Sequence, residues 1–169
     1  NSPEGNVNLS IEQSNSGRFD LHVALHSNAS PENMSGQLQG TDIYYQPHST
    51  ASRRLANLLV EHFQQIYPYP WMVDALSSTS LAEVRRTVAP AVLIEVAYHD
   101  NPEDARWIHE NIDSIARAIV RSLTEYFGVP FLEPQPERVG RVHTGGGNLM
   151  LSSRPNTGAP ILARIPTGA

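Results

Sequence analysis

Ala91-Val92-Leu93-Ile94-Glu95-Val96-Ala97 is the stretch on which the fold turns. A run this short and apolar, broken by a single carboxylate, predicts a central strand covered on both faces. Working outward, Asn101 caps a following helix, Pro102 takes its first position, and Glu103 and Asp104 complement its dipole. Ile108, Ile112, Ile115, Ile119, Leu123 and Tyr126 stripe one face of that helix, which Gly128 and Pro130 end. Towards the N-terminus, Ser49 or Thr50 caps a helix reaching about Tyr67, with Leu55, Leu58, Leu59, His62, Phe63 and Ile66 on one side. Before it come a strand over roughly 40–46 and an alternating run, Phe19, Leu21, Val23 and Leu25, that reads as another. Strands alternating with helices predict an α/β fold, a largely parallel twisted sheet flanked by helices.

Residues 1–17 are polar and read as irregular, so the layered domain occupies 1–130. Pro134 and Pro136 make 131–138 a stiff linker. The remaining 139–169 hold short apolar stretches around Gly145-Gly146-Gly147 and Arg154-Pro155-Asn156-Thr157-Gly158, which predict two or three short strands. Thirty-one residues with no disulfide or metal are too few to fold alone.

Composition narrows the function. The net charge of -5 supplies no basic stripe, which argues against a nucleic-acid partner. All twelve cations are arginine, a bias with no functional reading. With no cysteine, a metal can sit only on histidine and carboxylate. No apolar run approaches the roughly 18 residues of a membrane span, and the N-terminus carries no signal sequence.

Two polar residues interrupt apolar strands: His26, the last residue of its strand, and Glu95. In an open α/β sheet, sites form beyond the carboxyl ends of the strands. A lone carboxylate in a core run costs several kcal/mol unless paired, metal-bound or neutralised, and burial gives it the raised pKa of a general base. The plainer readings are a structural hydrogen bond for His26 and an ion pair with Arg85 or Arg86 for Glu95.

Asp20-Leu21-His22-Val23-Ala24-Leu25-His26-Ser27-Asn28-Ala29, then Gly40-Thr41-Asp42-Ile43-Tyr44-Tyr45, then Leu81 to Thr87 with Ala89 to Glu95, then Asp100 to Ala105 stand in one order and spacing. Together they resemble the zinc-dependent N-acetylmuramoyl-L-alanine amidases of type 3, over roughly Gly17 to Gly128. The resemblance implies hydrolysis of the amide between N-acetylmuramic acid and L-alanine in peptidoglycan. It makes His26 a Zn2+ ligand and Glu95 the catalytic carboxylate that activates water, with Asn28 in support. That family takes two more ligands from earlier in its chain, a His in a turn after the first strand and a Glu on the next helix. Residues 1–17 match neither. The expectation is a domain without its first strand and helix, whose remaining ligands come from a missing segment or a second chain. His22 shares a strand face with His26 but stands about 13 Å along it, too far to share a metal. His99, four residues past Glu95, is a further candidate at the mouth of the crevice.

Arg141 to Leu151, Ser152 to Pro155 and Ile161 to Gly168 resemble the first half of a bacterial SH3 domain, a module that accompanies cell-wall hydrolases. These resemblances imply a bacterial wall or extracellular location. The alternative is a non-catalytic wall-binding or assembly module, in which Glu95 is a buried, paired carboxylate. A peptidase on a similar sheet is the third reading.

Overall fold

The computed structural model describes residues 3–134, 141–153 and 158–168. The apolar run forms β4, Ala91–Tyr98, in the interior of a four-stranded sheet. Around it stand β1 (His22–Asn28), β2 (Thr41–Tyr45) and β3 (Val73–Ser77), in the order β1-β4-β2-β3. β1 runs parallel to β4 and β3 parallel to β2, while β2 meets β4 antiparallel. The sheet is thus mostly parallel and flanked by helices, as the sequence predicts, with one antiparallel seam in its middle.

Alternation along the strands sorts side chains to two faces. Ile43, Val92, Ile94 and Val96 go to one, where α2 (Thr50–Phe63) lays Leu55, Leu59 and Phe63 on them, each fully buried. Trp107 and Ile115 join this cluster from α4 (Pro102–Glu110) and α5 (Ile112–Phe127). The Ser49 hydroxyl caps α2 by accepting from the Ser52 N–H at 3.1 Å. Ser52 in turn accepts from the Ala91 N–H at 2.9 Å and ties the helix to the start of β4. On the opposite face a smaller cluster, Ala24, Val84 and Leu93, lies under α3 (Ala82–Arg85).

Three expectations are corrected. Within 1–17, residues Pro3–Ser16 form a helix, α1, not irregular chain. It shows no amphipathic stripe: among its described side chains only Ile11 and Ser14 are buried, and polar side chains do the docking. Asn15 Nδ2 donates to the Arg86 carbonyl at 2.9 Å, and the Arg86 guanidinium donates to Asn8 Oδ1 at 2.7 Å. The long helix after Asn101 is two, α4 and α5. Asn111, at φ -124°, breaks the turn while its side chain donates to the Trp107 carbonyl. The first strand starts at His22, since Phe19 is 60% exposed, and runs two residues past His26.

Residues 1–131 form one contact unit and 132–169 a second. In the second, β5 (Leu149–Ser152) and β6 (Ile161–Ile165) pair antiparallel. Residues 135–138 of the expected linker, and 154–157 of the expected turn, lie outside the described residues.

Candidate active site

Strand register sets the site. His26 on β1 stands opposite Glu95 on β4, Glu95 opposite Asp42 on β2, and Asp42 opposite Asp74 on β3. One line across the sheet therefore carries an imidazole and three carboxylates, near the carboxyl ends of β1 and β4. Burial keeps the Glu95 carboxyl above its usual range, Asp42 adds to this, and His26 and His99 oppose it. Its Oε2 is buried and accepts no hydrogen bond. Burial also raises Asp42, with Asp74 adding to it, against hydrogen bonds from Tyr44 and Tyr98. Tyr44 is pushed up to about 12, mainly by desolvation, and so stays protonated as a donor.

The loops beyond these strands are pinned by carboxylates. Asp104, 1% exposed, accepts from the N–H groups of Gly40 (3.1 Å) and Tyr98 (2.9 Å) and from the Tyr67 hydroxyl (2.5 Å). Asp100 accepts from the N–H groups of Ser30 (3.0 Å) and Gly36 (2.8 Å), and these bonds hold its carboxyl down at about 2. Asn28 Nδ2 donates to Asp42 Oδ2 at 3.3 Å. Ser27 Oγ and His99 Nδ1 stand 3.1 Å apart, so the loop candidate does come to the end of β1.

The residue that sequence reasoning missed is Glu83. Its carboxylate, 92% buried, sits 3.1 Å from His26 Nε2 and 3.4 Å from His22 Nε2, and accepts from Ser10 Oγ at 2.9 Å. The 13 Å along β1 is thus bridged by a carboxylate between the two rings. The His22 contact lacks hydrogen-bond alignment, which leaves its Nε2 buried without a partner. The only signal was indirect: an acidic residue at the start of a four-residue helix facing two histidines of one strand parity. The arginine partner considered for Glu95 is not Arg86, which reaches Asn8.

Among the described residues no group of three or more His, Asp or Glu side chains is placed to hold a metal ion. His26 Nε2 faces Glu83, and its line neighbours are acidic but dispersed along the sheet. These residues alone do not fit a complete zinc site.

β1 is also an edge strand, and beside it lies an open apolar groove of about 740 Å3 between Leu25, His26 and Val96 on the sheet and Ile112, Ile115 and Val120 of α5. Leu25 and Ile112 there are 58% and 60% exposed.

A mostly parallel sheet flanked by helices, with a part-buried carboxylate beside a histidine on adjacent strands, defines an α/β domain with a candidate site near its strand ends. The family described as N-acetylmuramoyl-L-alanine amidase, Amidase_3, matches residues 4–125, and the chain belongs to it. Among solved structures it is similar to the catalytic domain of the CD27L endolysin targeting Clostridia difficile, with TM-score 0.63 and 26% identity, covering 73% of this chain and 64% of that one. It is also similar to the catalytic domain of the amidase CwlV from Bacillus (Paenibacillus) polymyxa var. colistinus, with TM-score 0.60 and 28% identity, covering 73% and 66%. The CwlD amidase from Clostridioides difficile, solved with the GerS lipoprotein, shares the fold at TM-score 0.66 and 16% identity, covering 76% and 66%. The chain spans just under two thirds of the length of these structures. No curated protein matches.

Proposed function

We propose that this chain carries the catalytic carboxylate of a peptidoglycan amidase, which hydrolyses the amide joining the lactyl group of N-acetylmuramic acid to L-alanine. The observation that carries the reading is Glu95: raised by burial, one oxygen unpartnered, in line with His26 across adjacent strands. Such a carboxylate takes the proton of an attacking water and passes it to the leaving amine. The carbonyl carbon gains the water oxygen, the C–N bond breaks, and L-alanine leaves with a free amino group. Asn28 and His99 shape the loop around this site.

Zinc belongs to the completed enzyme in this proposal, with His26 as one ligand and the others from a segment or second chain outside these residues. Two features support such a seat: the open edge of β1 can take a further strand, and the apolar groove beside it can take a helix. We assign the β5–β6 hairpin to an SH3-like, wall-holding module, and the protein to the bacterial wall or exterior. One observation favours the second reading, a non-catalytic wall module: Glu83 already engages the His26 nitrogen.

A defined N-acetylmuramoyl-peptide separates them. Incubated with the full-length natural protein, it should release free alanine amino termini, and Glu95→Gln should slow this by roughly 10²–10⁴-fold. Intact substrate combined with retained wall binding would overturn the amidase reading. Elemental analysis should find one zinc per full-length protein and none held tightly by the 169 residues alone.

A further inference from the structure

The contact that occupies one nitrogen of His26 determines the state of the other. His26 Nε2 stands 3.1 Å from Glu83 Oε2, aligned as a hydrogen bond. A carboxylate only accepts, so the proton of this bond belongs to the ring and sits on Nε2. A neutral imidazole carries one N–H, and its free lone pair then lies on Nδ1. Among the described residues Nδ1 bonds to no protein group, and the His26 side chain is 42% exposed. In the β1–β4 register this ring stands opposite Glu95.

The carboxylate is itself fixed in place. Val84 anchors α3, fully buried against Ala24 and Leu93. Thr87 Oγ1 donates to the Glu83 carbonyl at 2.9 Å and closes the turn behind it. From α1, Ser10 Oγ donates to Glu83 Oε1 at 2.9 Å, which leaves Oε2 to the imidazole. His22 does not contest that oxygen: its Nε2 lies 3.4 Å from Oε1 and makes no aligned bond. A carboxylate is tolerated at such burial only with hydrogen bonds, and one of these is aimed at the site imidazole.

We propose that Glu83 is a positioning residue: it holds His26 as the Nε2–H tautomer, so that His26 meets a metal ion or a proton through Nδ1. The tautomer stands on this geometry alone, while its use in hydrolysis rests on the amidase reading above. Outer carboxylates of this kind fix both the tautomer and the orientation of a site imidazole. Without Glu83 the ring samples both tautomers, and its lone pair points to the site for only part of the time.

The test is the nitrogen NMR spectrum of the histidine rings in the full chain, at about pH 8.5, above the ordinary imidazole range. His26 is picked out of the seven histidines by its absence from the spectrum of His26→Gln, and couplings to the ring protons tell its nitrogens apart. The parent should show two widely separated signals, with the proton on Nε2. Glu83→Ala should draw them together, and Glu83→Gln, which still offers an acceptor oxygen, should keep them apart. Circular dichroism checks each fold, and the parent spectrum decides alone if Glu83→Ala does not fold. A proton on Nδ1 or averaged signals in the parent, or an unchanged spectrum in Glu83→Ala, would each overturn the proposal. In the full-length natural protein Glu83→Ala should slow alanine release about 10–100-fold, and unchanged release would overturn the positioning role. A locked ring in a protein that never releases alanine removes the amidase reading and leaves the tautomer standing. Alanine release by a protein whose His26 signals are averaged does the reverse.

Discussion

Glu95 and Glu83 differ in what surrounds them, and that difference makes separate predictions. Desolvation raises the Glu95 pKa, so its charged form is less favourable folded than unfolded. A raised carboxyl contributes nothing adverse at low pH, where it is protonated in both states; the cost grows as pH rises above its unfolded pKa and is complete above its folded one. Glu95→Gln should therefore melt higher than the parent at pH 7–8, with the gain vanishing near pH 4. A variant that melts lower at pH 8 would mean the carboxylate is satisfied by a partner. Glu83 is the opposite case, a buried carboxylate with two hydrogen bonds. Glu83→Leu removes the acceptor for Ser10 and His26 and should cost roughly 1–3 kcal/mol in urea unfolding. Loss of either side chain was foreseeable to different degrees. Glu95 interrupts an apolar run and declares itself, whereas Glu83 sits in Leu81-Ala82-Glu83-Val84, where nothing local marks it as buried. Its partners lie 57 and 61 positions away on another element, which a linear pattern does not record.

At the scale of elements, the strands and α2 were legible because each buries a face with its own period. α1 was not, because it docks through Asn8, Ser10 and Asn15 and has almost no apolar side to show. The break at Asn111 was hidden for the reverse reason: the isoleucine stripe continues through it although Ile112 turns out 60% exposed. In the loop between β1 and β2, Asp100 ties two backbone amides at once. Asp100→Asn keeps one acceptor but cannot accept from both Ser30 and Gly36, so amide exchange at Gly36 should quicken while the amides of β4 stay protected. Because these bonds hold the carboxyl down, their contribution is complete above the ordinary Asp range and fades as pH falls towards about 2. Acid should therefore loosen this loop in the parent as well. Gly40 is the other sensitive point. At φ +121° a Cβ would lie 2.6 Å from the Met72 carbonyl oxygen, so Gly40→Ala should destabilise by roughly 2 kcal/mol or more, measured by thermal melting.

For the whole molecule, the division at Phe131 implies that residues 1–131 carry the main core. A protein ending at Phe131 should melt cooperatively at the temperature of the longer one, since Phe63, Leu55, Ile43 and Ile94 all lie within it. A markedly lower transition would show that the β5–β6 hairpin stabilises the core. The edge strand β1 has a different consequence, one of colloidal behaviour. It offers a row of unpaired amides and carbonyls next to Leu25, with no lysine or proline among its seven residues to discourage a second strand from joining. Preparations of these residues alone should be sticky, sedimenting faster as concentration rises, and Leu25→Lys should restore ideal, concentration-independent sedimentation.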